Sequence, residues 1–133
     1  MNVDVPPPDD VTTPWWDATR EHRLVVQTCV DCGHHQHPPR AVCIACGNTD
    51  GLTFTLSASA GTVDSWTQLH RAPRPDVDVP YVIARVRLDE GPLLLTQLLG
   101  AAPWQIGEPV RAEWHDIPDG RSLPMFGRPS TSP

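Results

Sequence analysis

Four cysteines constrain this chain more than any other feature of its sequence. They form two pairs, Cys29-x-x-Cys32 and Cys43-x-x-Cys46, and a glycine follows each pair directly. A Cys-x-x-Cys turn places two thiolates on one small loop, and the glycine lets the backbone curl back towards a metal without a clash from a Cβ atom. Two such loops, separated by residues 33–42, predict one tetrahedral site with four sulfur ligands. Zinc is the usual metal of such a site.

Three other uses of the same cysteines stay open at this point. They are two disulfides, a thioredoxin-like redox motif, which needs only one pair at a strand-to-helix junction, and iron, which a rubredoxin-like site holds with the same two loops. A site with four protein thiolates has no open position for water or substrate, so we expect the metal to hold structure and to take no part in chemistry. His34, His35 and His37, between the pairs, are predicted to be exposed and not to be ligands.

Composition narrows the class of protein. The chain has 133 residues, which suits one ordinary domain or two small ones, and its 16 prolines disfavour long helices. No apolar run is long enough to cross a bilayer and no secretory signal is present, so we expect a cytoplasmic protein with reduced cysteines. Asp and Glu outnumber Arg by 16 to 10, and the formal net charge is −6. Nucleic-acid backbones require a basic face, so nucleic-acid binding is a minor alternative.

The first part of the chain predicts one short helix. Residues 1–12 are rich in proline and aspartate and are predicted to be disordered. Thr13-Pro14 is typical of an N-cap followed by the first helical residue, and the helix is predicted over residues 13–23. It carries Trp15 and Trp16 at its start. We expect that two adjacent tryptophans on so short a helix do not both face the same core.

The rest of the chain predicts strands. The zinc ribbon is predicted over residues 24–50, an OB-fold barrel over 51–127 and a flexible tail over 128–133. Leu52 to Leu69 is predicted to be one long strand bent at Gly61. The fold class is therefore mainly β, with a short N-terminal helix, a rubredoxin-like zinc ribbon and a five-stranded OB-fold barrel. The other predicted strands are Tyr81 to Leu88, Pro92 to Leu99, Val110 to Ile117 and a final edge at Ser122 to Phe126.

This order of elements, together with several short motifs, resembles the DUF35 family of acyl-CoA-associated OB-fold proteins. The resemblance covers residues 14–127. The Pro-Pro-Arg between the cysteine pairs, together with the motifs of the downstream barrel, makes it more specific than the cysteine pattern alone. The matching motifs are Trp15-Trp16, Leu24, Gln27-x-Cys29-x-x-Cys32-Gly33, Pro38-Pro39-Arg40-x-x-Cys43-x-x-Cys46-Gly47, Gly61-Thr62-Val63, Pro80-Tyr81, Leu88-Asp89-Glu90-Gly91, Ile106-Gly107-Glu108-Pro109-Val110 and Leu123-Pro124-x-Phe126.

The resemblance implies a non-catalytic accessory subunit that binds and stabilises a thiolase-fold enzyme acting on acyl-CoA. Known partners of the family include acyl-CoA thiolases, hydroxymethylglutaryl-CoA synthase assemblies and aldolases that shorten the steroid side chain. A hetero-oligomer is implied, in which the accessory subunit helps to form the acyl-CoA passage. Some relatives are fused to a hydratase domain, so a separate subunit and an excised domain both fit. The alternative function is an independent zinc ribbon–OB module that binds nucleic acid or another ligand.

The residues themselves predict no activity of the isolated chain. The cysteines belong to the metal pattern, and the sequence has no Gly-x-Ser-x-Gly elbow. His70 lies beside Arg71 and near Trp66, but an exposed loop histidine is the simpler interpretation. If acyl-CoA is contacted, Arg71 and Arg74 are candidates for its phosphates, and Trp66 is a candidate surface for its adenine. An ordinary solvated loop is the simpler interpretation of these residues too.

Overall fold

The computed structural model describes residues 5–129, and strands dominate it. Within this part of the chain, one helix precedes eight strands, and no helix is long and apolar enough to cross a membrane. The elements are α1 (Thr13–Thr19), β1 (Val25–Cys29), β2 (His35–Gln36), β3 (Leu52–Leu56), β4 (Ala60–Leu69), β5 (Tyr81–Leu88), β6 (Leu93–Leu99), β7 (Pro109–Asp116) and β8 (Ser122–Gly127). The predicted fold class is confirmed.

The strands form two sheets. A three-stranded sheet has the order β2-β1-β3, and a closed barrel has the order β4-β5-β6-β8-β7. Neighbouring barrel strands are antiparallel except β6 and β8, which are parallel and pair only where Leu98 meets Phe126 and Leu99 meets Gly127. A five-stranded barrel that is partly open between two strands is typical of the OB-fold. The segment predicted as a final edge is therefore a strand inside the barrel.

Alternation of apolar residues along the strands produces the barrel core. Successive side chains of a strand point to opposite faces, so every second residue of β5 and β6 is directed inwards. Phe126 on β8 is 0% exposed and belongs to this core. The other buried barrel residues are Val63, Val82, Ala84, Val86, Leu88, Leu94, Leu98 and Val110.

The predicted single strand from Leu52 to Leu69 is wrong, because the chain forms two strands there. Ser57 Oγ donates a hydrogen bond of 2.7 Å to Glu90, and the Ala58 N–H donates one of 2.9 Å to the same carboxylate. These bonds fix the turn between β3 and β4. The whole of β3 pairs with β1, so this strand extends the ribbon sheet, and β4 enters the barrel alone.

Gly61 allows a close approach between two barrel strands. A Cβ atom at this position would lie 2.3 Å from the carbonyl oxygen of Arg87, which no real side chain tolerates. Gly61 pairs with Leu88 on one side and with Val110 on the other, so β4 crosses from β5 to β7 at this residue. The glycine therefore serves barrel closure.

The helix differs from its prediction in length and in the burial of its tryptophans. It ends at Thr19, and its N-cap is Thr12. Trp15 is 7% exposed and Trp16 is 9% exposed, so the expectation that they would not share a core is wrong. Their rings meet edge to face with centroids 4.8 Å apart. Both are buried because α1 packs between the ribbon and the barrel. Trp15 packs on His37 of the ribbon, and Trp16 lies beneath the guanidinium of Arg121, directly before β8.

The sequence predicts that residues 1–12 are disordered. The structure describes residues 5–12 of this segment, and residues 1–4 lie outside the described part of the chain. The Asp9 carboxylate accepts hydrogen bonds from the N–H groups of Val11 and Thr12. The carbonyl of Pro6 accepts a hydrogen bond of 2.8 Å from Arg121 Nη1. Residues 5–12 thus form contacts with the segment before β8 and among themselves.

The predicted flexible tail, residues 128–133, likewise falls largely outside the described residues. Arg128 lies inside them and is held firmly. Its guanidinium donates to Glu108 at 2.7 Å and lies 3.8 Å from the ring centroid of Trp104. The chain leaving β8 is therefore fixed to the barrel at its first residue.

Candidate metal centre and apolar groove

The two cysteine loops have the same local structure. The N–H of Gly33 donates to the carbonyl of Cys29, and the N–H of Gly47 donates to the carbonyl of Cys43, both at 2.8 Å. The two glycines have φ of 77° and 80°, a left-handed conformation that a side chain would strain. This is the conformation that the Gly after each cysteine pair predicts.

The sulfur atoms of Cys29, Cys32, Cys43 and Cys46 form one cluster. All four lie within 4.8 Å of one another, and the pairs Cys29–Cys46 and Cys32–Cys43 are 3.7 Å apart. A tetrahedral ion with metal–sulfur bonds of about 2.3 Å requires sulfur separations of about 3.8 Å. A disulfide would require about 2.05 Å. The cluster therefore fits a single tetrahedral metal ion and does not fit the two disulfides considered above.

The cluster is half enclosed by protein. Cys29 and Cys43 are each 1% exposed, whereas Cys32 and Cys46 are exposed. Because four thiolates complete a tetrahedron, a metal ion held here has no free position for a substrate. The arrangement can stabilise the fold, and it cannot act as a Lewis acid.

Two buried glutamines hold the segment between the cysteine loops. Gln27 Oε1 accepts hydrogen bonds from Gln36 Nε2 at 2.7 Å and from the N–H of Arg40 at 2.8 Å. Gln36 Oε1 accepts a hydrogen bond of 3.0 Å from the N–H of Ile44, inside the second loop. The glutamines thus supply backbone partners where the ribbon has no strand, and they position Cys43. Gln27 was recognised in the sequence only as a family match.

The three histidines of the ribbon are less exposed than predicted. Within the described chain, none belongs to the cysteine cluster. His35 shares a hydrogen bond of 2.8 Å with Thr28, and His37 packs against Trp15 with ring centroids 5.5 Å apart. Burial lowers the pKa of His37 from 6.5 to about 4, so its imidazole is neutral at pH 7.

An apolar groove of about 750 Å³ lies where the ribbon, the helix and the barrel meet. Its floor is the outer face of β5 and β6, including Ile83 and Leu95. One wall is formed by Trp15 and Trp16 of α1, and the others by the N-terminal segment, the ribbon segment at Pro38-Pro39, the loop before β5 and the start of β8. Sequence reasoning missed this groove. The signal was the run Leu93-Leu94-Leu95, which places apolar side chains on both faces of β6.

The residues predicted to contact acyl-CoA are only partly brought together. Arg74 lines the groove and forms an ion pair with Asp76 at 3.4 Å. Arg71 is exposed in the same loop, outside the groove lining. Trp66 is half-buried against the barrel core and does not line the groove either. Their roles in acyl-CoA binding stay predictions.

One serine, one carboxylate and one histidine meet in the structure, but in the wrong order for nucleophilic catalysis. Ser122 Oγ donates to Asp116, and His22 Nε2 lies 2.6 Å from the same carboxylate. In a catalytic triad the histidine stands between the other two, where it can remove the serine proton. Ser122 is also buried, at 1% exposed. The hydrogen bond from Ser122 lowers the pKa of Asp116 most, and the hydrogen bond from His22 lowers it further. The Asp116 carboxylate is therefore charged, and it links Ser122 and His22 in a structural role.

His70 is no better candidate for a catalytic residue. It is exposed directly after β4. Among residues 5–129, the four-cysteine cluster is the one group of His, Cys, Asp and Glu side chains arranged to hold a metal. The arrangement of the described residues can therefore bind a metal and offer an apolar groove, and it supplies no activated nucleophile.

Two family models match the chain in the regions just described. The model of the ChsH2 rubredoxin-like zinc ribbon domain matches residues 16–50, and that of the ChsH2 C-terminal OB-fold domain matches residues 55–115. Fold and cysteine cluster together define a zinc ribbon–OB-fold protein. A DUF35 domain-containing scaffold protein of Pyrococcus furiosus is 33% identical over 107 residues, which cover 80% of this chain and 77% of that protein. The chain belongs to the DUF35 family.

Two further similarities concern proteins named for acyl-CoA metabolism or for an aldolase. A solved chain described as "Ltp2-ChsH2(DUF35) aldolase" is 36% identical; the match covers 93% of this chain and 98% of that chain, with a TM-score of 0.84. The 3-oxo-4,17-pregnadiene-20-carboxyl-CoA hydratase alpha subunit of Mycobacterium tuberculosis is 39% identical over 108 residues, which are 79% of this chain and 34% of that protein. The chain thus spans about a third of the length of the hydratase subunit.

Proposed function

We propose that the chain is a non-catalytic accessory subunit that binds and stabilises a thiolase-fold acyl-CoA enzyme, an aldolase or thiolase of steroid side-chain degradation. The observation that carries the proposal is the match to the aldolase chain, which spans 98% of that chain with a TM-score of 0.84. The names of the relatives agree with a role in an assembly, since one is a scaffold protein and another is an alpha subunit. The steroid CoA ester in the name of the hydratase relative supports the substrate class.

The side chains of the described residues support the same division of labour. The order Ser122–Asp116–His22 does not activate the serine, and the cysteines are engaged in their own cluster. The partner must therefore supply the reacting groups, while this chain supplies surface and stability. We propose a hetero-oligomer for this reason.

We propose zinc as the metal and Cys29, Cys32, Cys43 and Cys46 as its ligands. The sulfur separations of 3.7 Å support this, as does the match to a zinc ribbon model. When bound, zinc supplies folding free energy to a segment that has little apolar core of its own. An iron site would absorb visible light and a zinc site would not, so an absorption spectrum and a metal analysis separate the two.

We propose that Arg74, with Arg71 from the same loop, contacts the phosphates of the acyl-CoA, and that Trp66 offers a surface to the adenine. Guanidinium groups suit phosphates because they donate two parallel hydrogen bonds. The position of Arg74 at the groove supports its part most directly.

The test is to express a thiolase-fold acyl-CoA enzyme from the same genome with and without this chain. We expect the two proteins to co-purify and the enzyme to gain solubility and activity, whereas this chain alone turns over no acyl-CoA. Replacing both Arg71 and Arg74 with alanine should raise KM for the acyl-CoA about tenfold, a loss of about 1.4 kcal/mol, and should leave assembly intact. Arg85→Ala with Arg111→Ala is the matched control, since both arginines are exposed on strands outside the groove lining.

The outcomes separate the parts of the proposal. Absence of co-purification in every buffer would remove the accessory role. Turnover by the isolated chain that is lost in His70→Ala would make it an enzyme. Tight, salt-sensitive binding of an oligonucleotide would favour the independent nucleic-acid module.

A further inference from the structure

We propose that the chain associates with a second copy of itself through the open edge of the ribbon sheet. The surface is β3, Leu52–Leu56, which pairs antiparallel with β3 of the other copy about a two-fold axis at Phe54. The product is one continuous sheet with three strands from each copy. This association is separate from the proposed function, because it requires neither a thiolase-fold enzyme nor acyl-CoA.

The ribbon sheet ends at β3, and within residues 5–129 no strand lies on the other side of it. The barrel strands close on one another, so the barrel offers no comparable edge in the described chain. The opposite edge of the ribbon sheet is β2, which has two residues. In contrast, β3 has five residues, and its register with β1 is unbroken along its length. An edge of this kind can accept another strand.

Alternate residues of β3 turn their backbone groups away from β1. Just before β3, the carbonyl of Gly51 accepts a hydrogen bond from the residue after β1, and just after β3, the N–H of Ser57 donates to the residue before β1, both at 2.8 Å. Bonded residues alternate along an antiparallel strand, so Thr53 and Thr55 also face β1. The backbone N–H and C=O groups between them point to the open side. They belong to Leu52, Phe54 and Leu56.

This edge lacks the protection that natural edge strands usually have. A charged side chain, a proline or a bulge commonly blocks pairing at an edge. The sequence of β3 is Leu-Thr-Phe-Thr-Leu, with neither a charge nor a proline. Leu56 is 61% exposed, although its partner in the register with β1 is the buried Val25. The edge therefore offers both unpaired backbone groups and an apolar side chain to another strand.

The residue order of β3 selects a second copy as the occupant. The strand has the same order in both directions, with Phe54 at its centre. A two-fold axis at Phe54 therefore places each leucine opposite a leucine, each threonine opposite a threonine and Phe54 opposite itself. The pairs of Leu52 with Leu56 and of Phe54 with itself join outward residues, so each pair exchanges two backbone hydrogen bonds. Aromatic pairs and threonine pairs across strands are favourable, and a two-fold interface requires such self-complementarity.

The association is weak and depends on salt. Standard interfaces bury about 1,200–2,000 Å², and a pair of five-residue strands covers less than that. Even standard interfaces range from micromolar affinity upwards, so we expect a Kd on the order of tens of micromolar. The formal net charge of −6 makes two copies repel each other. Salt screens this repulsion, so the dimer should tighten as the ionic strength rises.

The test is sedimentation velocity of the zinc-loaded chain, from about tenfold below to about tenfold above the expected Kd. Leu56→Lys places a cation on the edge and should weaken the dimer about tenfold or more. Ile106→Lys is the matched control, because Ile106 is 67% exposed, lies outside the ribbon sheet and gives the same change of charge. It should leave Kd unchanged. Zinc content and circular dichroism of both variants should equal those of the wild type.

Amide hydrogen exchange identifies the surface independently of any substitution. As the protein concentration rises, the amides of Leu52, Phe54 and Leu56 should gain protection, because they acquire partners in the dimer. The amides of Thr53 and Thr55 already face β1, so their exchange should change little. An interface elsewhere on the chain would not produce this alternation.

Three results would overturn the proposal. They are a monomer at every concentration, equal Kd values for Leu56→Lys and Ile106→Lys, and protection gained only outside β3. Co-purification with the thiolase-fold enzyme is measured on the same variants. If the wild-type chain alone stays monomeric and Leu56→Lys releases the enzyme, the edge binds the enzyme and the proposal fails. A dimer with the expected alternation, without co-purification of the enzyme, would retain the proposal and overturn the accessory role.

Discussion

The ribbon and the barrel are stabilised by different interactions. In the cysteine loops of the ribbon, Val30 and Ile44 are 66% and 60% exposed, so the apolar side chains of these loops contribute little burial. The buried apolar residues of the ribbon, Leu24, Val25 and Val26, lie at β1 and belong to the core cluster shared with the barrel. The order of the loops comes from four sulfur atoms and from the amide groups of Gln27 and Gln36. In the barrel, Phe126 and Val86 are 0% exposed. A metal can thus replace a hydrophobic core in a segment too short to build one, and the two regions should fail for different reasons.

Loss of a metal ligand should have the largest effect. We expect Cys43→Ser, or removal of the metal by a chelator, to unfold the ribbon. Apparent binding free energies of structural zinc in small domains are about 10–16 kcal/mol, and metal binding there is coupled to folding. Metal analysis should give about one zinc ion per wild-type chain. Hydrogen exchange should show lost protection in β1 and β3, with protection retained in β5 and β6. A metal-free chain with the same melting curve would contradict this.

Removal of the barrel core side chain should have the next largest effect. Phe126→Ala is expected to lower the free energy of unfolding by about 3–5 kcal/mol, because it removes a large buried side chain and leaves a cavity. Denaturant titration measures the change. The zinc content of the folded variant should equal that of the wild type. Loss of zinc in folded Phe126→Ala would show that the ribbon depends on the barrel core, against the comparison above.

The buried glutamines should matter to the ribbon and not to the barrel. In Gln27→Leu, the N–H of Arg40 and an amide hydrogen of Gln36 lose their acceptor, at about 1–3 kcal/mol for each buried group left unpaired. Zinc affinity, measured by competition with a chelator, should fall about tenfold or more, as it does for groups that orient metal ligands. Gln105→Leu is the control, since Gln105 is exposed. Equal zinc affinities of the two variants would deny Gln27 a positioning role.

The smallest expected effect is on the pH dependence of stability, and it comes from His37, where the ribbon contacts the helix. Burial holds the pKa of His37 at about 4, below its ordinary 6.5. As pH falls below 6.5, His37 is protonated in the unfolded chain but stays neutral in the folded chain. The free energy of unfolding therefore decreases until about pH 4 and then levels off. The loss is about 1.4 kcal/mol per pH unit, or roughly 2 kcal/mol at pH 5. His37→Gln should remove this part of the pH dependence. Parallel curves for the two proteins would place the pH dependence elsewhere, for instance in thiolate protonation.

Local chemistry made the metal loops and the β5–β6 hairpin predictable from the sequence. The spacing of Cys29 and Cys32 and the glycine after them specify a loop that needs no distant contact. Tyr81–Leu88 is the strand that alternation predicts. The break between β3 and β4 was not predictable, because it depends on Glu90, far along the chain from Ser57. No local pattern records such a contact.

The burial of the tryptophans and the groove also depend on distant parts of the chain. In a helix, the adjacent residues Trp15 and Trp16 point in different directions. Helix geometry alone does not show that each side chain meets a different part of the chain that buries it. The side chains that cover them are His37 of the ribbon and Arg121 of the turn before β8. The groove also forms where the ribbon, the helix and the barrel meet. The sequence therefore indicates only its floor, through the excess of leucine in β6.

The buried guanidinium of Arg121 sets a limit on how far the protein can be shortened. Arg121 is 4% exposed, covers Trp16 and bonds to the carbonyl of Pro6. Neither Arg121 nor Pro6 lies within residues 16–50 or 55–115, the regions by which the family is recognised. A fragment trimmed to those regions would keep all four cysteines and lose β8, the N-terminal wall and the cation that joins them. It would carry the family signature without a closed barrel.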